Sequence, residues 1–315
     1  MMTRLAHIWL ALTLVCLNGA TSLRSEGDRV VAITIDDLPV VAVSASSDWA
    51  SVTERLLATL RHHHAPAVGF VNERKLYVND ALDSGRVALL EAWLQAGHEL
   101  GNHTFAHRGA HTTPLAEYLE GITRGEKVTR ALAHRAGRPY RYFRHPQLHA
   151  GRSLAYRRGV ERFLAAHGYT IAPVTVDNQE WVYALAYVVA EERGDSALRA
   201  RVVAGYLRHL DSAFAYSERL SQQLFDREIP LVLLLHANQL NADHLGTILS
   251  RLEARGYRFV TLERALADSA YRSRDTYVGP VGPSWLIRWA LSRGMQVPDE
   301  PREEKWVADV ASGGR

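Results

Sequence analysis

The chain has 315 residues, 47% of them hydrophobic and 23% charged, with 22 glycines, 11 prolines and one cysteine. That is the composition of a folded protein with a sizeable core, not of a disordered, collagen-like or disulfide-stapled chain. The net charge is only +3 with His neutral and there is no long Lys/Arg run, so no nucleic-acid partner is expected.

Arg4 and His7 precede an apolar run from Ile8 to Leu17, with small residues Ala20 and Ser22 beyond it. About ten apolar residues are too few to span a bilayer comfortably but suit the core of a secretory signal. Residues 1–22 therefore read as a removable signal peptide, with export to the periplasm or medium and no stable membrane association after cleavage. An uncleaved anchor is the alternative. Cys16 lies inside this segment, so the mature chain would hold no disulfide and depend on its core.

Arg29–Ile35 is rich in β-branched residues and turns polar only at Asp36-Asp37, the pattern of a strand buried on both faces. Val52–Leu60 has helical spacing, Ala65–Val71 reads as a strand, Val87–Gln95 as a helix stopped by Gly97, and His98–Asn102 as a short strand. Thr123–Ala136 predicts a helix, Tyr140–Phe143 a strand, Ser153–His167 a helix and Tyr169–Val176 a strand. A long helical stretch covers about 183–227, carrying Leu198, Val202, Tyr206, Leu210 and Phe214. The strand Ile229–Leu235, the helix Leu245–Ala254, the strand Tyr257–Thr261 and the helix Leu262–Ala267 follow. Repeated strand–helix alternation predicts a parallel sheet covered by helices. The conspicuous polar residues fall just past strand ends: Asp36 and Asp37, His103 and His107, Arg144, Asp177 and Glu180, and His236. In a parallel α/β barrel those ends open on one face, where active sites are built.

His103 and His107, four residues apart, would lie about one helical turn apart and could reach one ion together. Among 15 histidines such a pair alone is weak evidence, and His62-His63-His64 at a helix end is given no ligand role. Asp36-Asp37 says more. Adjacent carboxylates at an apolar strand end repel unless a cation or proton sits between them, although a helix-capping role is the plainer alternative. One Asp and two His would leave a coordination position open for water, as catalytic zinc sites do.

Thr34-Ile35-Asp36-Asp37 resembles the first motif of the polysaccharide deacetylases (the NodB-homology proteins of carbohydrate esterase family 4), commonly TFDDG. The stretch Gly97 to His107, GHELGNHTFAH, resembles the second. Phe143-Arg144-His145-Pro146 is similar to the third motif, Asp177 to Trp181 to the fourth, and Leu234-Leu235-His236 to the fifth. They run in family order from about residue 30 to 268.

The resemblance implies a distorted (β/α) barrel of about seven parallel strands. Asp37, His103 and His107 would bind a divalent metal, usually zinc. Asp36 would be the general base, held by Arg144, and Glu180 would take the place of a family Asp that tunes this charge network. His236 would be the general acid. Trp181 and Leu234 would wall the acyl pocket, and the Gln147 backbone N–H would help stabilise the oxyanion. The implied reaction is removal of N-acetyl groups from a carbohydrate such as peptidoglycan, an exopolysaccharide or a chitin-like oligomer. The catalytic domain would span 23–270 with its helical insertion at about 183–227, and 271–315 would be a C-terminal extension packed on the barrel. Leu38-Pro39 in place of Gly, Gln147 in place of Tyr, and the longer Glu180 depart from the family pattern and put the usual polymer substrate in doubt. An O-acetyl esterase or small-molecule amidase would use the same site. An inactive glycan-binding protein is a third reading, and the intact Asp36, Asp37, His103, His107 and His236 argue against it. No feature indicates an oligomeric state.

Overall fold

In the computed structural model the residues described are 29–313, so the signal-peptide reading of 1–22 lies outside them. The strands are β1 (Val30–Leu38), β2 (Ala67–Val71), β3 (Tyr77–Val78), β4 (Ala81–Leu82), β5 (Glu99–Asn102), β6 (Tyr142–Phe143), β7 (Thr170–Ile171), β8 (Leu231–His236) and β9 (Arg258–Val260). β3 and β4 form a separate antiparallel hairpin that nothing in the sequence pattern announced. The other seven pair in parallel in the order β7-β6-β5-β2-β1-β8, with β9 beside the first residues of β1.

β1 is the centre of the sheet, with nearly every side chain buried. β2 pairs along one edge, from Ile33 opposite Ala67, and β8 along the other, from Val31 opposite Leu231 to Asp36 opposite His236. Neighbours on both edges and helices on the faces explain why β1 and β8 read as unbroken apolar runs. The expected strand Tyr169–Val176 stops at Ile171, because Pro173 has no N–H for the ladder. Beyond the proline the chain changes partners. Val176 bridges Leu233, with Thr175 and Val176 N–H donating to Val232 O at 3.0 Å and Leu234 N–H to Val176 O at 3.1 Å. This seam brings the sheet round into a distorted (β/α) barrel.

The helices are α1 (Trp49–His62), α2 (Ser84–Gln95), α3 (Leu115–Arg124), α4 (Lys127–Arg135), α5 (Leu154–Ala166), α6 (Glu180–Glu192), α7 (Ser196–Phe225), α8 (Gln239–Ala254), α9 (Leu262–Leu266), α10 (Trp285–Ser292) and α11 (Lys305–Ala311). α1 starts where Asp48 accepts from the Ala50 and Ser51 N–H groups, and it buries Val52, Leu56, Leu57 and Leu60. The single helix expected over Thr123–Ala136 is instead the end of α3 and all of α4, separated at Gly125. A Cβ at Gly125 would lie 2.5 Å from the Thr104 carbonyl carbon and 2.6 Å from the Phe105 nitrogen, so this break admits the loop carrying the two histidines. The helical stretch after the fourth motif is two helices, α6 and α7. Val202, Tyr206, Leu210 and Phe214 of α7 are buried, as are Trp285, Leu286, Ile287 and Trp289 of α10. Among the described residues no helix is long and apolar enough to cross a membrane.

Candidate active site

Successive side chains on a strand point to opposite faces, so Asp36 and Asp37 should diverge. The register of β1 against β2 shifts between Ile35 and Leu38, and Asp37 takes a left-handed φ of 67°. This bulge turns both carboxylates into one pocket, an arrangement Asp tolerates better than a bulky residue. Leu38 then points into the core against Gly69, at 0% exposure. Other non-glycine residues with positive φ line the same pocket: Ala42, His107, Gln147 and Leu148. Such residues persist only where the surroundings over-determine them, and they concentrate at functional sites.

His103 and His107 do not lie on a helix. They sit in the irregular segment after β5, where the left-handed Thr104 and His107 reverse the chain and bring the rings to 4.9 Å between centroids. The i, i+4 reasoning thus placed the right pair together for the wrong geometric reason. His103 Nδ1 bonds to Arg144 O at 2.8 Å, which turns Nε2 toward Asp37. His103 Nε2 and His107 Nε2 stand 3.9 and 3.6 Å from Asp37 Oδ1. Burial lowers His103 to about 4, and burial with the neighbouring His103 lowers His107 to about 4. Both rings are therefore neutral near pH 7, and these approaches are not ion pairs. Burial raises the Asp37 carboxyl, but Lys75, His107 and His103 together hold it at about 2.

Asp37 Oδ1 is buried without a hydrogen-bond partner. One carboxylate oxygen and two unprotonated ring nitrogens, all within 4.8 Å of one another, fit a small divalent cation. Tetrahedral zinc would set such donors roughly 3.4 Å apart, a little closer than the 3.9 and 3.6 Å from Asp37 Oδ1 to the two ring nitrogens.

Asp36 stands beside this trio, with Oδ2 3.6 Å from His103 Nε2. Its oxygens accept from Arg144 Nη1 at 3.2 and 3.3 Å. Arg144 is fully buried, with Nε on Ala172 O at 2.8 Å and Nη2 on Thr34 Oγ1 at 3.0 Å. Burial raises the Asp36 carboxyl more than the Arg144 charge lowers it. His236 pairs in register with Asp36 across β1 and β8. Its Nδ1 and backbone N–H both bond to Glu180 Oε2, at 2.9 and 3.0 Å. Burial works against the imidazolium, but the Glu180 hydrogen bond and charge, aided by Asp37 and Asp36, raise His236 to about 9. Here the sequence reading is corrected. Glu180 opens α6 directly behind the seam, so its carboxylate meets the end of β8 and serves His236 and Asn238 instead of the Arg144–Asp36 pair.

Asp36, Asp37, His103, His107 and His236 line one pocket of about 450 Å³, with Gln147, Leu234 and a half-exposed Trp181 in its walls. Val41, Ala42, Leu148 and Leu185 add apolar surface, and Asp177 and Asn238 polar surface. Sequence reasoning missed Lys75, whose Nζ donates to Asp37 O at 2.7 Å, and Asn238, which caps α8 and donates to Glu180. Lys75 comes from a short 3-10 turn after β2 with no polar pattern to single it out. Asn238 stood two residues beyond His236 as an ordinary helix cap, which was the only signal available.

A parallel barrel that collects a carboxylate, two neutral imidazoles and a protonated His at its strand ends has the build of the hydrolytic α/β barrels. Known proteins narrow that class. The family model for polysaccharide deacetylase matches residues 24–172, a little under half of the chain, and that stretch is similar to the family. The chain is similar to the peptidoglycan-N-acetylglucosamine deacetylase PgdA of Listeria monocytogenes, 23% identical over 240 residues. That match takes in 76% of this chain but spans about two-fifths (39%) of the relative. Among solved structures it is similar to the polysaccharide deacetylase Bc1974 of Bacillus cereus, at 20% identity and a TM-score of 0.50, covering 74% of this chain and 91% of that one. The Bc1960 peptidoglycan N-acetylglucosamine deacetylase is equally similar, at 20% identity and a TM-score of 0.50, covering 78% and 91%. A mutant of BA3943, a CE4 family pseudoenzyme with restored enzymatic activity, aligns at 18% identity and a TM-score of 0.50, covering 76% and 68%. At these identities the solved structures establish the fold alone.

Proposed function

We propose that the chain is a metal-dependent N-deacetylase acting on an N-acetylated glycan outside the cytoplasm. The observation that carries the reading is Asp37 Oδ1, a buried and unpartnered carboxylate oxygen facing His103 and His107 beside the Asp36–Arg144 and His236–Glu180 pairs. Asp37, His103 and His107 would hold the cation, with zinc the best match to one oxygen and two nitrogen donors. When bound, the cation supplies Lewis-acid polarisation of a carbonyl and makes water acidic near neutral pH.

The other roles follow from this chain's own groups. Asp36, held by Arg144 and raised by burial, takes a proton from the attacking water. His236 has Nδ1 committed to Glu180, so Nε2 carries the transferable proton toward the departing nitrogen. Amide hydrolysis needs that proton because the amine is a poor leaving group. Trp181 and Leu234 bound the space for the acyl methyl, and the Gln147 N–H is the candidate oxyanion donor. A pocket of about 450 Å³ is of ordinary small-ligand size and suits one sugar ring with its acyl group. What supports a glycan substrate is the deacetylase family and the names of the relatives; what supports export is the apolar run Ile8–Leu17.

The test measures bound metal and acetate release on N-acetylglucosamine oligomers and on peptidoglycan, for the wild type and for His103→Ala. One zinc per chain and activity lost in the variant are expected. A zinc-loaded protein silent on glycans but active on simple esters or amides would replace the glycan with a small substrate. Failure to take up any divalent metal would end the reading.

A further inference from the structure

The loop from His145 to His149 carries Gln147, yet its backbone is poorly disposed to stay where it is. Gln147 and Leu148 are consecutive non-glycine residues with left-handed φ of 57° and 53°. Two such residues in a row are costly for L-amino acids and persist only where neighbours hold them. The loop's own bonds are short-range: Leu148 N–H to His145 O at 3.1 Å and His149 N–H to Pro146 O at 3.0 Å.

The holding contacts come from the far end of the chain. Arg288, at 1% exposure, donates from Nη1 to Leu148 O at 3.3 Å and from Nε to Asp275 Oδ2 at 2.7 Å, with its guanidinium 4.5 Å from the Trp285 ring centre. Gly282 presses directly on the turn. A Cβ there would collide with the Gln147 carbonyl oxygen and lie 2.8 Å from the Leu148 carbonyl carbon. His111 bonds to Pro280 O at 3.2 Å and stacks on His149 at 3.8 Å between centroids. The segment is itself pinned at both ends. Arg157 Nη1 holds Asp275 and Tyr277 O at 3.1 and 2.9 Å, and the Trp285 N–H donates to Val174 O at 2.7 Å.

We propose that the segment from Asp275 to Arg288 is a strap that sets the His145–His149 turn, and that Gly282 and Arg288 are positioning residues for the Gln147 backbone N–H. The catalytic half of this proposal rests on the deacetylase reading; the structural half does not. The family-model match ends at residue 172, so the strap lies wholly outside it. A part of the chain beyond that match thereby sets the angle at which an oxyanion donor meets the pocket.

Two variants test it. Arg288→Met removes the bond to Leu148 O but leaves Asp275 with one arginine fewer, and the extension can loosen. Gly282→Ala adds one methyl against the Gln147 carbonyl. Its φ lies outside the left-handed range, so alanine suits the backbone and only the space is refused. Lys305→Ala, on the same extension but exposed and paired with Asp309, is the control. The readouts are amide hydrogen exchange at Leu148 and His149, steady-state acetate release, zinc affinity by titration calorimetry, and thermal melting.

Faster exchange at those amides in both strap variants is expected. With it, kcat should fall roughly 100-fold while KM and zinc affinity stay within about twofold. Lys305→Ala should match the wild type throughout. Unchanged exchange in Gly282→Ala overturns the strap. Faster exchange with wild-type kcat overturns its catalytic role. A wild type silent on N-acetyl substrates removes the deacetylase reading instead, and the exchange data then decide the strap by themselves.

Discussion

Replacing Glu180 with Gln isolates the charge that keeps His236 protonated. Glu180 is 1% exposed and meets His236 at Nδ1 and at the backbone N–H, so the substitution keeps the shape and removes the charge. His236 moves from 6.5 to about 9, which is roughly 3 kcal/mol in favour of the imidazolium. Burial opposes this shift, and the Glu180 bond and charge are the chief forces supporting it. Without them the ring returns to an ordinary value or below. In the proposed role of general acid His236 must be protonated to act, so activity is retained below its pKa and lost as pH rises through it. At pH ~8 a ring with a pKa of about 9 is ~90% protonated and one near 6.5 is ~3% protonated, a loss of roughly 30-fold. The assay is kcat for acetate release from pH ~5 to ~10 in wild type and variant. The basic limb should move down by about two units. Asn238 Nδ2 would face an amide where it now meets a carboxylate, costing about 1–2 kcal/mol of stability, which a melt would register. A basic limb at the same pH in both proteins would refute the assignment of His236 as the acid tuned by Glu180.

Other expectations follow from the same geometry. Arg144→Met leaves the Asp36 carboxylate buried and unpaired, at a cost of about 3–5 kcal/mol at neutral pH by chemical denaturation. The variant's carboxyl would hold its proton more tightly than the unfolded chain does. Its stability should therefore drop as pH climbs from the ordinary carboxylate value through the raised one, and recover on acidification; an equal deficit at all pH values would contradict this. Chelation should abolish acetate release without changing the far-ultraviolet dichroism, since the proposed ligands Asp37, His103 and His107 stand on or beside packed strands. Adding zinc at a hundredfold excess over its Kd should stabilise the wild type by about 2.7 kcal/mol and His103→Ala not at all. Trp181→Ala, at a half-exposed position, should raise KM several-fold with stability changed by less than about 0.5 kcal/mol.

The barrel strands were legible because β1 and β8 are flanked on both edges and carry apolar side chains almost throughout. Reading polar residues off strand ends then gathered Asp36, His103, Arg144 and His236 from four distant segments, since parallel strands must end on one side. What stayed hidden depends on backbone direction more than on residue type. The bulge that lets Asp36 and Asp37 face one pocket, the left-handed Thr104 and His107 that replace a helical turn, and the break at Gly125 that makes room for them have no periodic signature. Pairings of side chains were equally hidden. Glu180 could be placed near the site from its motif, but its choice of His236 over Arg144 depends on where α6 begins relative to β8.

The seam between the Pro173–Val176 segment and β8 has a consequence for how the protein fails. It is closed by a single bridge and a few hydrogen bonds, whereas β1 is laddered to its neighbours along most of its length. Glu180 hangs from one lip and His236 from the other, so their bond is itself a stitch across the gap. Mild heat or denaturant that parts the lips would uncouple His236 from the Glu180 carboxylate while β1, β2 and β8 still hold together. If His236 is the general acid as proposed, loss of activity at alkaline pH would then precede loss of secondary structure, making the titration of His236 an early gauge of whether the barrel is shut.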